Sequence, residues 1–236
     1  MGSCISIKNK ITMKNLIIPF LLFYSFCNSQ IKITWIYSKN NPTAEVCIYN
    51  NSSENIVLPL DLKSLKPYFE NQCSMADYEF PYPIFGLTLS VENKNEKMVG
   101  NVHNIEISNN ENFSEIIKER ENVNNKYLTS LKAWNDKNAF SDLDYAKKNY
   151  YLFNNLIVIK SKQKLKFKIN VNFENITNEK YIYYYYPIDW TIKNEAKLSL
   201  CIDSSIYNYL TEKQKQKFKK YRFFIGRIES NKIELN

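Results

Sequence analysis

The sequence predicts a mainly β protein: an antiparallel β-sandwich with a two-helix insertion and a short C-terminal helix. Three observations predict it. Short apolar alternations recur along the chain. Turns rich in Asn, Ser and Pro separate them. The apolar period lengthens from two to three or four only at about 112–153 and again after Thr211.

The first strand spans 31–37, with Ile31, Ile33, Trp35 and Tyr37 on one face. Asn40, Asn41 and Pro42 turn the chain into a second strand over 44–49, where Val46 and Ile48 oppose Cys47 and Tyr49. Asn50 to Ser53 turn it again, and a third strand covers 56–58, stopped or edged by Pro59. Residues 61–84 read as irregular and aromatic, interrupted by Pro67, Pro81 and Pro83. Two further strands are expected at 85–91 and 98–107.

Phe113, Ile116, Ile117, Val123, Tyr127, Leu128, Leu131 and Trp134 then recur at helical spacing, with Asn112 and Glu115 as the opening cap. A second helix is expected after Ser141, where Ser141 and Asp144 fit a capping box. Strands resume at 156–159. Over 165–173, Leu165, Phe167, Ile169, Val171 and Phe173 alternate with Lys164, Lys166, Lys168, Asn170 and Asn172. One apolar and one solvated face mark a half-buried strand. Strands at 181–186 and 196–202, a basic helix capped by Thr211 and Gln214, and strands at 223–228 and 232–235 complete the series. Residues 30–236 are expected to form a single domain.

These short strands resemble the immunoglobulin-like sandwiches of exported bacterial proteins, although the Cys…Trp…Cys spacing of true immunoglobulin domains is missing. The resemblance implies a fold, not an activity.

Residues 1–29 carry an address. Lys8, Lys10 and Lys14 precede an apolar run from Leu16 to Phe26, and Cys27, Asn28 and Ser29 follow before Gln30. A positive segment, an apolar segment and a small-residue site together make a secretory signal cut after Ser29. Met13 would serve equally as its start. A lipoprotein signal on Cys27 meets the bulky Phe26, and a myristoylation pattern at Gly2 to Ser6 is trailed by a run it does not need. With its Asn-Ser-Gln ending and Lys/Asn/Ile/Tyr bias, the chain resembles secreted proteins of the Bacteroidota. The expected location is periplasmic or extracellular. Cleavage removes three of the 32 basic residues and none of the 24 acids, so the charge falls from +8 to +5. Nucleic acid is not an expected partner of an exported chain, and membrane contact is expected only through the export signal.

Cys47, Cys73 and Cys201 remain after cleavage, an odd number for an oxidising compartment. If a disulfide forms, Cys47–Cys201 is the first choice, because both residues sit in strand-like segments.

Scarce residue types exclude chemistries. The four glycines are too dispersed for any phosphate-cradling loop, and no Gly-x-Ser-x-Gly elbow exists. His103 is the only imidazole, which removes multi-histidine metal sites. His103 with Glu106, and Asp142 with Asp144, are loose acidic or imidazole groupings that do not make a ligand set. No metal and no cofactor are expected.

The tyrosine run at 181–186, followed by Asp189 and Trp190, is the most unusual segment. Its alternation fits a strand that fills the core and covers one face. Flat rings with a hydroxyl also suit a protein partner or a sugar face. Tyr183, Tyr185 and Trp190 are therefore candidate binding residues, joined by Tyr127 and Trp134 on the helical insertion. Lys213, Lys215, Lys217, Lys219, Lys220 and Arg222 divide between two helix faces and read as a solvated helix. The expected function is non-enzymatic binding of a protein of the envelope or another exported protein, as an envelope component or as an inhibitor or immunity-type protein. The alternatives are a carbohydrate-binding module and a hydrolase with two carboxylates.

Overall fold

A computed structural model describes residues 30–38, 41–69, 73–93, 96–103, 113–176 and 183–235. The expected signal at 1–29, the helix cap at Asn112 and the strand residues 104–107 lie outside them. The described chain is mainly β.

Three strands with strict alternation form one antiparallel sheet: β1 (Ile31–Ser38), β2 (Asn41–Asn50) and β9 (Lys164–Asn170), in the order β1-β2-β9. Ile33 pairs with Ile48, Trp35 with Val46, and Val46 in turn with Phe167. This register puts Ile31, Ile33, Trp35, Ala44, Val46, Ile48 and Ile169 into the core and leaves the other face to solvent.

The larger sheet runs β13-β11-β5-β4: Gly226–Glu229, Asn194–Ile202, Gly86–Asn93 and Asp61–Pro67. Two short strands extend it, β6 (Glu96–Lys97) on β5 and β14 (Ile233–Glu234) on β11. Leu87, Leu89 and Val91 of β5 and Leu198 and Leu200 of β11 face the core shared with the first sheet. Two pairs depart from the expected antiparallel layout. β4 runs parallel to β5. In a third sheet, β12 (Arg222–Phe223) runs parallel to β3 (Ile56–Pro59), whose other neighbour is the antiparallel β8 (Leu156–Ile159). β4 itself lies in the segment expected to be irregular. Its sequence, Asp-Leu-Lys-Ser-Leu-Lys-Pro, does not alternate because its last four residues are buried on both faces. A register shift between Asp61 and Leu65 further breaks the period.

β7 (Asn101–His103) and β10 (Tyr183–Tyr185) form a separate antiparallel pair. A close approach holds this pair against the rest. A Cβ on Gly100 would come within 2.4 Å of the Pro67 Cβ, so no side chain fits there.

The two helices of the insertion are α1 (Phe113–Asn138) and α2 (Leu143–Asn154). The cap of α2 is Asp142, one residue later than the expected Ser141. Its carboxylate accepts from the Asp144 amide at 2.9 Å, which a serine one residue earlier is not placed to do. Ala146 and Leu152 carry α2 into the core region. The C-terminal helix α3 (Glu212–Lys217) begins with the expected reciprocal box: Gln214 N donates to Thr211 Oγ1 at 3.2 Å, and Thr211 N donates to Gln214 Oε1 at 2.8 Å.

The disulfide is Cys73–Cys201, with Cα atoms 4.8 Å apart, and Cys47 is free. The expected Cys47–Cys201 pair fails because strand character does not bring two residues together. Cys47 alternates with the buried Val46 and Ile48 and so points out of the first sheet. Cys201 alternates with the buried Leu200 and Ile202 on a different sheet, facing the segment that carries Cys73. Disulfide geometry requires Cα atoms within about 7 Å. The segment is also tied there by Asp203 N, which donates to Cys73 O at 2.8 Å.

Candidate functional site

The candidate binding residues fall in separate surroundings. Tyr127 and Trp134 belong to the packing of the helices. Tyr127 stacks on Phe80 with ring centroids 3.8 Å apart, and both Tyr127 and Trp134 meet Tyr150 edge-on. The Trp134 indole donates to Asn149 Oδ1 at 2.9 Å. Burial pushes the Tyr127 hydroxyl up to about 12, which suits a packed ring rather than an acid–base group. Tyr183 pairs with His103 in β10, and Tyr185, half-buried, ends the strand. Their neighbours Tyr184 and Tyr186 turn inward. Tyr184 packs edge-on against Phe69 and Tyr82. The Tyr186 hydroxyl donates to Leu89 O at 2.6 Å and accepts from Tyr68 N at 2.7 Å. Trp190 is 45% exposed, with one side of its ring against Phe173.

The most chemically distinctive exposed surface lies elsewhere, on the outer face of β1-β2-β9. The register aligns three rows across the sheet: Lys32–Tyr49–Lys164, Thr34–Cys47–Lys166 and Ile36–Glu45–Lys168. The face thus carries four lysines and one glutamate: Lys164, Lys166 and Lys168 line β9, Lys32 stands on β1, and Glu45 lies between Ile36 and Lys168. Lys168 Nζ lies 3.6 Å from Glu45, and Lys164 Nζ lies 5.7 Å from the centre of the Tyr49 ring. A depression of about 330 Å³ runs between Thr34, Ile36, Cys47, Lys166 and Lys168. Ile36 is 73% exposed beside it. The solvated lysine face of β9 is legible in the sequence. Its placement beside Cys47 and on the same face as Ile36 is not, because the β2–β9 pairing joins residues more than a hundred positions apart. The outward alternation of β1 was the available signal.

A second charged group lies on the larger sheet and has a structural character. Lys197 Nζ is 3.1 Å from Glu92 and 3.0 Å from Glu229, and Lys232 Nζ also reaches Glu92. Burial works against the Glu92 charge, but hydrogen bonds from Lys232 and Lys197 outweigh it and hold the carboxyl below its ordinary value. A carboxylate kept ionised by two lysines staples strands and does not supply protons. Among the described residues, no group of three or more His, Cys, Asp or Glu could hold a metal ion. Asp142 is used as a helix cap, and Glu106 lies outside the described residues.

Comparison of the chain with protein-family models, curated proteins and solved structures finds no match.

Proposed function

We propose that this is an exported, non-enzymatic binding protein of immunoglobulin-like sandwich type, whose outer β1-β2-β9 face docks an acidic protein of the envelope or another exported protein. The single observation that carries the reading is a face on which the lysine column of β9 stands across Glu45 and Cys47 from the exposed Ile36 of β1. Apolar contact at Ile36 supplies affinity, while the lysine column across the sheet selects an acidic partner and speeds encounter. The Cys73–Cys201 disulfide is compatible with an oxidising, exported location. No helix among the described residues is long and apolar enough to cross a membrane.

The test is capture from the protein's own envelope extract by wild type and by two variants, Ile36→Asp and Lys164→Glu/Lys166→Glu/Lys168→Glu. Wild type should retain a stoichiometric acidic protein that high salt releases, and both variants should lose it. Retention of the same protein by both variants would overturn the reading. A second reading rests on Trp190, whose exposed ring is placed to stack on a sugar. It requires glycan-array signal that Trp190→Ala abolishes.

A further inference from the structure

A second basic surface lies at the meeting of the β2–β3 turn and the end of α3. The turn is rigid. Asn50 Nδ2 donates to Glu54 O at 2.8 Å and to Ile159 O at 3.0 Å, and Ser52 Oγ donates to Asn50 Oδ1 at 2.7 Å. Ser161 N donates to Asn55 Oδ1 at 2.9 Å. The opposite wall is fastened to the same turn. Arg222 N donates to Asn55 O at 2.9 Å, and Arg222 Nη1 lies 3.4 Å from Glu54 Oε2. Between the walls is a cavity of about 360 Å³ lined by Ser53, Glu54, Asn55, Lys219, Lys220, Tyr221 and Arg222.

Its charge is unbalanced. Three cations face one carboxylate, and among the described residues Lys219 and Lys220 have no acidic partner. Other lysines of the same run are already engaged: Lys215 bonds Glu212 at 2.8 Å, and Lys217 Nζ lies 5.3 Å from the centre of the Phe153 ring. Lys162 Nζ, held on Asn51 O at 2.6 Å, adds a further positive charge to the turn. Lys213 stays exposed on the helix, while Lys219, Lys220 and Arg222 of the same run meet at one preformed cavity.

We propose that this cavity binds a phosphate monoester carried on a sugar or a lipid headgroup. Lys219, Lys220 and Arg222 supply the charge-assisted donors that a phosphate dianion needs. The volume exceeds what a lone phosphate fills, and Glu54 is an acceptor for hydroxyls of the attached carrier. The Glu54 contact also fixes the guanidinium in place before the ligand arrives. This site is separate from the lysine-bearing face of β1-β2-β9, so either can fail without the other.

Calorimetric titration with inorganic phosphate and with glucose 6-phosphate, and co-sedimentation with vesicles of phosphatidylcholine with or without phosphatidic acid, test it. The proteins are the wild type, Lys219→Gln/Lys220→Gln and Lys213→Gln, the last an exposed lysine outside the cavity. The cavity variant should weaken binding by about tenfold or more, and Lys213→Gln by no more than about twofold. Tighter binding of glucose 6-phosphate than of inorganic phosphate supports a sugar carrier. Vesicle binding that requires phosphatidic acid supports a headgroup. No binding in any arm, or equal weakening by Lys213→Gln, would overturn the proposal, the latter because it would reflect overall charge alone.

Discussion

Trp35 and Asn231, 196 residues apart, are joined by three hydrogen bonds. Asn231 Oδ1 accepts from Trp35 N at 3.0 Å, Asn231 Nδ2 donates to Trp35 O at 3.2 Å, and the Trp35 indole donates to Asn231 O at 3.0 Å. One amide side chain thus serves the backbone of β1 as a further strand would, sealing an edge of the smaller sheet beside the larger one. Asn231→Ala leaves the Trp35 amide and carbonyl unserved next to a buried ring. The expected loss is about 1–3 kcal/mol in urea denaturation. Asn231→Asp keeps the acceptor but replaces the donor with a second oxygen facing Trp35 O, and should lose at least as much. An unchanged denaturation midpoint in both variants would show that the clip is dispensable.

The cysteine pairing is checked directly by alkylating the denatured, unreduced protein and mapping its peptides. Cys47 should be the only labelled residue of the three, with Cys73 and Cys201 in one linked peptide. The bridge closes a loop of sequence separation 128. Its removal in Cys73→Ser/Cys201→Ser should cost about 2–5 kcal/mol, chiefly by releasing the unfolded chain. Labelling of Cys201 without reductant would reject the pairing.

Lys66 gives stability an alkaline dependence. It is fully buried in β4, where Nζ donates to Ile84 O at 2.6 Å. Burial, reinforced by the nearby Arg227 charge, pushes the ammonium down from 10.5 to about 7. Between these values the unfolded chain holds a proton that the folded chain has released. Stability must therefore rise with pH, at up to about 1.4 kcal/mol per unit for one proton. The rise should be clearest between about pH 7 and 10. Above that range the buried Tyr78, Tyr186 and Tyr207, whose hydroxyls are pushed up by burial, oppose it. Lys66→Met should flatten the rise while leaving the acid side of the profile unchanged. A wild-type profile already flat over this range would contradict the assignment.

Local signals in the sequence carried much of the fold. The alternation of Leu165, Phe167 and Ile169 marked β9, and Thr211 with Gln214 marked the start of α3, because a strand face and a helix cap are written within a few residues. What was not legible depends on partners distant in the chain. β4 lost its period because Ser64 to Pro67 are covered on both sides. Its parallel pairing with β5 is a property of the connection between them, not of either strand's residues. Cys73 lay in a segment without a pattern, so nothing local distinguished it from Cys47. The same limit hid both basic surfaces. Lys166 and Ile36 come onto one face only through β2, and Lys219 meets Ser53 only through the parallel pairing of β12 with β3.

Asn149 and Gln214 form a buried amide pair that tests how α2 and α3 are joined. Asn149 Nδ2 donates to Gln214 Oε1 at 2.6 Å and to Tyr209 O at 2.5 Å, and Gln214 Nε2 returns a bond to Asn149 Oδ1 at 3.1 Å. The Trp134 indole brings α1 into the same network. Asn149→Leu orphans the part-buried Trp134 indole and Tyr209 carbonyl and one buried side of Gln214. The expected cost is about 3 kcal/mol or more. Gln214→Leu orphans Asn149 and also opens the α3 capping box, for a cost of about 2 kcal/mol. The double variant Asn149→Leu/Gln214→Leu should lose less than the sum of the two, because neither amide then faces an empty partner. A double-mutant cycle in denaturant measures the difference. Strict additivity would mean that the two side chains act independently and that α2 and α3 are held by their apolar contacts alone.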